Sequence, residues 1–282
     1  MTTAPAERVP GGVRRGELNR GGRALRWVEA GRGGPTVVLV AGSGTASPTW
    51  APVLPGLAAH TRVVAYDRAG LGASDPDRMM TLETQVADLA ALVEDTGDGP
   101  CVLVGHSWGG LLAQLLGWQR PELVAGLVLV DPAHEEFQPP AVRAAEAVLL
   151  RLGLLRSALA PTQRVPGDAL AGNVPARVRR RRWRTAVAEN RLMTLAVPGI
   201  RRRRSAARLP DVPVAVLSAT EGLPKVLRTR WMLLQSRIAE HATRGTHIVV
   251  PGAGHAVHVD DPGAVTAAVL EVAEHARQAK HA

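Results

Sequence analysis

The sequence predicts an α/β protein, a mostly parallel, doubly wound sheet of about eight strands with a helical cap inserted after the sixth. Three observations predict it. Short apolar runs alternate with helix-like runs through most of the 282 residues. The apolar runs are nearly continuous, as strands buried on both faces must be. The alternation stops between Asp131 and Leu209, where paired prolines (Pro139, Pro140), two arginine runs and several helical fragments replace it.

In chain order, residues 1–22 mix Pro, Gly, Arg and Glu and are expected to be disordered or loosely attached. Strand-like runs follow at 23–30, 36–41, 62–66, 101–104, 126–130, 212–217 and 246–250. Helical candidates fall between them at 48–59, 81–95, 108–118, 228–242 and 262–277. The second opens on Thr81 with Glu83 in its first turn, and Val86, Leu89, Leu92 and Val93 give it one apolar face. The expected organisation is a core of 23–135 and 206–282, with 136–205 as the cap.

Composition bounds the chemistry. Apolar residues make up 46% of the chain, enough for a sizeable core, but only six Trp, one Tyr and one Phe are aromatic. The core must therefore be Val, Leu, Ala and Ile. A single cysteine, Cys101, excludes an internal disulfide framework and a cysteine-based zinc site. It falls within a strand and reads as a small buried hydrophobe. No secretory apolar segment opens the chain and no stretch is long enough to span a bilayer, so a cytoplasmic location is expected. Much of the formal charge of +9 sits in the runs 179–182 and 201–204. A local concentration of that kind argues against nucleic acid as a partner, and a solvated cap surface is its plainer reading.

The apolar run 101–104 leads directly into Gly105-His106-Ser107-Trp108-Gly109, the pattern Gly-x-Ser-x-Gly, and then into Leu111, Leu112, Leu115 and Leu116 at helical spacing. A strand, a sharp glycine-flanked turn and a helix lift one serine hydroxyl above the sheet edge. An ordinary strand–helix junction is the competing reading. A serine needs a base, and the candidate is His255, on a glycine-rich loop after the strand at 246–250. His258, three residues on, is expected to be packed or solvated, and His106 to point away from the turn. The base in turn needs a carboxylate to fix its tautomer. Asp131 and Glu221 both follow strands and both keep the chain order serine, acid, histidine. Asp131 is preferred because it stands directly at its strand end, although it could instead cap a turn before Pro132. Oxyanion donors are expected from the backbone N–H of Trp108 and, in the glycine-rich loop Ala41-Gly42-Ser43-Gly44, of Ser43. A phosphate-cradling loop would need a Lys-Ser or Lys-Thr pair that does not follow.

With these pieces in order, about residues 23–277 resemble the α/β-hydrolases. The resemblance is carried by "GHSWGG" at the elbow, "VAGSG" at the oxyanion loop, "YDRAGLGASDP" (66–76) and "GAGHAVHVDDP" near the end. It departs from the family where Ala41 replaces the usual His of the oxyanion loop, and where Gly222 falls about where many members carry the acid. Members with the acid one strand earlier favour Asp131. Ser107 argues against the dehalogenases and epoxide hydrolases, which use aspartate at the elbow. The resemblance implies a serine hydrolase acting on an ester or related acyl bond of a small, apolar substrate through an acyl-enzyme, with no cofactor and no metal. Hydrolysis of a carbon–carbon bond or peroxide-using acyl transfer on the same triad are alternatives. So is a non-catalytic receptor, or a module using its arginines on an acidic partner. Trp50, Trp108, Leu192, Met193 and Leu195 are either lining for an acyl pocket or core.

Overall fold

A computed structural model describes residues 7–8, 12–137, 140–159 and 176–281. Their strands are β1 (Glu7–Arg8), β2 (Arg14–Arg20), β3 (Arg23–Ala30), β4 (Val37–Val40), β5 (Val63–Tyr66), β6 (Cys101–His106), β7 (Val124–Val130), β8 (Pro213–Ala219) and β9 (Arg244–Val250). They form one sheet in the order β1-β2-β3-β5-β4-β6-β7-β8-β9. The first three pairings, up to β3–β5, are antiparallel and the remaining five are parallel. Eight strands are full length and β1 is a two-residue edge piece.

Side chains alternate across each parallel strand, so both faces are apolar. Val38, Val40, Leu103, Leu127 and Val216 join helices α2 (Leu82–Thr96), α3 (Trp108–Gln119) and α6 (Lys225–Glu240) in one core. Val37, Leu39, Val104, Val128 and Leu217 join α1 (Leu54–Ala58) and α8 (Pro262–His281) in the other. A short α7 (Val257–Asp260) precedes α8. The helix α2 starts as expected, with Thr81 and Thr84 forming a reciprocal capping box. The helix expected over 48–59 is broken into a 3₁₀ turn at Ser47–Trp50 and α1, because Pro48, Pro52 and Pro55 interrupt the backbone bonding.

The N-terminal expectation is corrected over residues 14–20. They pair residue for residue with β3, Gly16 against Trp27 and Leu18 against Leu25. Leu18 is buried, and Gly16 leaves the room that the Trp27 indole fills, since a Cβ there would lie 2.1 Å from the ring. With Leu18 its single large apolar residue, "RRGELNR" carries no periodic signal.

The insertion follows β7, the sixth full-length strand, and its described helices are α4 (Pro140–Leu159) and α5 (Ala176–Ala206, 31 residues, with Pro198 inside). They pack where Gly153 admits the Trp183 ring, and α4 turns Val148, Leu149, Leu152 and Leu155 to solvent. The solvated reading of the arginine runs is also corrected in part. Arg179 is buried, and Arg181 donates to the Gly72 carbonyl. Arg204 donates to both oxygens of Glu135 at 2.7 and 2.8 Å and to Gln114 at 3.0 Å, with its guanidinium 5.1 Å from the Trp118 ring centre. These cations join the insertion to the core. No described helix is long and apolar enough to cross a membrane.

Candidate active site

The site is assembled at the carboxyl ends of β4, β6, β7 and β9, where ligands of parallel α/β sheets bind. Ser107 lies between β6 and α3 with φ 49° and ψ −114°, a conformation that side chains rarely adopt. The neighbouring glycines are sterically required. A Cβ on Gly109 would stand 2.1 Å from the Val40 carbonyl oxygen, and one on Gly105 2.5 Å from that of Gly109. The Ser107 backbone is tied on both sides. Its N–H donates to the Val130 carbonyl at 3.1 Å, and its carbonyl accepts from Gly110 (3.0 Å) and Ala133 (3.0 Å).

Asp131 follows β7 directly and is buried, again at positive φ (42°). One carboxylate oxygen, Oδ1, accepts from the Ala219 N–H (3.1 Å), the Trp231 indole N–H (2.8 Å) and the Gln235 amide (3.0 Å). The other, Oδ2, accepts from His255 Nδ1 at 2.6 Å. Because a carboxylate accepts only, the proton is assigned to Nδ1, and Nε2 keeps its lone pair. His255 is half-exposed on the loop between β9 and α7, so that lone pair belongs to the accessible ring nitrogen of a braced imidazole. Glu221 lies elsewhere: its carboxylate is exposed and meets Arg228 at 3.7 Å. Of the two acids, the structure brings Asp131 to the histidine.

His258 is packed, fully buried, sharing a hydrogen bond with Thr49 Oγ1 (2.8 Å) and with its ring 4.5 Å from that of Trp50, tilted by 40°. Burial pulls its pKa down to about 4. His106 does not point away as expected. Its ring sits 4.7 Å from that of His255 and 4.5 Å from that of His258, and its Nε2 donates to the His255 carbonyl at 2.8 Å. Burial, then the neighbouring His258 and His255, hold it well below the usual histidine range, so it braces the loop as a neutral ring.

On the glycine-rich loop after β4, the Gly42 carbonyl accepts from Thr45 N–H (3.1 Å), Thr45 Oγ1 (2.8 Å) and Arg68 Nη2 (2.9 Å). A trans peptide is planar, so the Ser43 N–H leaves on the opposite side. Trp108 is the first residue of α3, and a first-turn N–H has no carbonyl one turn behind it. Its side chain is core, with the indole N–H on Gln85 Oε1 at 2.8 Å. Trp50 is also core, Leu192 and Met193 pack against core, and Leu195 is exposed. Trp231 and Gln235, four apart on α6, are site residues that the sequence reading missed; the sole signal was a glutamine within an apolar helix stripe.

The family model described as the alpha/beta hydrolase family matches residues 37–269, from β4 into α8. This chain belongs to the alpha/beta hydrolase family. Among curated proteins, it is 31% identical over 271 residues to a Mycobacterium tuberculosis protein named "Putative non-heme bromoperoxidase BpoC", covering 88% of this chain and 96% of that one. A shorter match is 48% identical over 71 residues to the lipase LipV of the same organism, 25% of this chain and 27% of that one. Among solved structures, Cfl2 from Burkholderia cenocepacia superposes with a TM-score of 0.72 at 23% identity, covering 95% of this chain and 99% of that one. That likeness is one of fold. The matched span includes Ser107, Asp131 and His255.

Proposed function

We propose that this alpha/beta hydrolase is a serine hydrolase, cleaving an ester or related acyl bond of a small, apolar substrate. The observation that carries the reading is the 2.6 Å contact of His255 Nδ1 with Asp131 Oδ2, on a loop held by His106, the neighbour of a serine at strained φ. In this reading His255 Nε2 takes the Ser107 proton as Oγ attacks the carbonyl carbon. The oxyanion that forms rests on the N–H groups of Ser43 and Trp108. When the tetrahedral intermediate collapses, His255 gives its proton to the leaving alcohol. Water then adds to the acyl-enzyme with the same histidine as base, and the acid leaves as Ser107 recovers its proton. Asp131, braced by three further donors on Oδ1, stabilises the imidazolium formed in each half.

A fluorophosphonate probe followed by peptide mapping tests this. The expected outcome is a rapid adduct on Ser107, absent in Ser107→Ala. A folded protein that takes no adduct sinks the reading. The match to BpoC favours a second reading, in which hydrogen peroxide replaces water in the second half and a peracid leaves. Acetate, peroxide and bromide together would then give bromide oxidation that Ser107→Ala loses.

A further inference from the structure

The inserted helix α5 sends Arg181, Thr185 and Glu189, spaced four apart, onto the loops that follow β4 and β5. Arg181 donates to the Gly72 carbonyl and Thr185 Oγ1 to that of Gly70 at 3.2 Å. Glu189 reaches the glycine-rich loop itself, accepting the Gly44 N–H on Oε2 at 3.1 Å. The close approach of helix and loop rests on Gly44, where a Cβ would stand 3.0 Å from Ala186.

The other oxygen of Glu189 accepts from Arg68 Nη2 at 2.8 Å and Nε at 3.2 Å. Arg68 then donates to the Ala41 carbonyl and, at 2.9 Å, to the Gly42 carbonyl. The two side chains are 2% and 0% exposed. A fully buried ion pair is expensive to desolvate and persists only where its remaining hydrogen-bonding groups find partners. Here those partners are three consecutive peptide groups of one loop: 41–42 and 42–43 through their carbonyls, 43–44 through its N–H. The middle one carries the Ser43 N–H.

We propose that Glu189, acting through Arg68, is a positioning residue for the oxyanion hole, so that seating of the insertion and alignment of the Ser43 N–H are a single event. The proposal rests on the serine-hydrolase reading for the meaning of that N–H, but not for the clamp itself. Arg68 lies in the core sequence and Glu189 in the insertion, 121 residues apart. A change in the seating of α5 is thereby transmitted to the reacting carbonyl with no movement of Ser107 or His255.

The test uses the full chain with p-nitrophenyl butyrate as substrate, Glu189→Gln, and the double variant Arg68→Leu/Glu189→Leu. The double variant removes both charges together, which keeps a lone buried ion from unfolding the protein. Amide exchange in peptides spanning 40–46 should speed up by about tenfold or more in both. kcat should fall by about 10²-fold with KM nearly unchanged, as for loss of one oxyanion donor. A folded variant with wild-type exchange at 40–46 and wild-type kcat overturns the proposal, as does a rise in KM alone. If the wild type neither turns over the ester nor takes the fluorophosphonate, the hydrolase reading falls, and the exchange result alone then decides whether Glu189 holds the loop.

Discussion

Among the described residues two that carry side chains are held at positive φ, Ser107 and Asp131, and each is bound by the chain around it: Ser107 between Val130, Gly110 and Ala133, Asp131 by its N–H on the Leu217 carbonyl at 2.8 Å. Such conformations persist where the surroundings over-determine them, at a cost of about 1–3 kcal/mol each. Replacing Ser107 by glycine removes the steric conflict while leaving the hydrogen bonds in place. Urea denaturation of Ser107→Gly should show a gain of about 1 kcal/mol over Ser107→Ala, which keeps a Cβ and the strain. A Ser107→Gly variant less stable than Ser107→Ala by the ordinary cost of glycine, about 0.5–1 kcal/mol, would show that the elbow is unstrained. The tight turn at Ser107 and the places of Asp131 and His255 after their strands were legible in sequence because glycine spacing and strand-end placement leave a local trace. His106 was not: its role depends on which loop folds over β6, and no spacing in the chain encodes that.

Among the elements, α5 shows why the insertion was opaque. Its inward face begins with Arg181, Thr185 and Glu189, polar residues at helical spacing, and turns apolar only at Met193, Val197 and Ile200, so the apolar stripe marks a fragment of one 31-residue helix. Its last turn is fixed differently. Burial alone would raise the pKa of Glu135, but the hydrogen bonds and charge of Arg204 more than offset this and hold the carboxyl below its ordinary value. The Glu135 side chain is 1% exposed, so Arg204→Leu strands a buried charge. The expected loss at pH 7.5 is about 3–5 kcal/mol by urea denaturation. A loss below about 1 kcal/mol would mean that this pair behaves as a surface ion pair. The strands and the helices α2, α3, α6 and α8 were legible because their apolar patterns repeat. β2 was hidden because, next to the two-residue edge piece β1, Leu18 is the one apolar side chain it buries.

For the whole molecule, the buried histidines set how stability follows pH. Burial brings the pKa of His134 and of His258 down to about 4, against about 6.5 in an unfolded chain. Between those values the unfolded state binds more protons, so folding stability is complete above about pH 6.5 and is lost as pH falls toward 4. Each histidine contributes about 3 kcal/mol to that loss. Urea midpoints should fall steadily from pH 7 to pH 4, and His258→Gln, which still offers Thr49 a partner, should flatten the slope. A wild-type profile that is flat above pH 5 would contradict this. The fold was legible at this scale because a repeated strand–helix alternation is a global signal. The distribution of the +9 charge was not, because the sequence counts arginines without showing which of them turn inward.

The indole N–H of Trp231 donates to the same carboxylate that holds His255, and its ring lies 6.2 Å from the imidazole, edge to face. The protein therefore carries its own optical probe of the acid–base pair. Emission from a tryptophan is quenched by a nearby imidazolium, so fluorophosphonate inhibition, which expels fluoride and leaves the Ser107 proton on His255, should dim one fluorophore of the six. Subtracting the signal of Trp231→Phe isolates it, and stopped-flow emission would then time proton transfer at the site with no label and no chromogenic substrate. A difference signal unchanged while fluorophosphonate modifies Ser107 would show that the charge on His255 does not reach the indole.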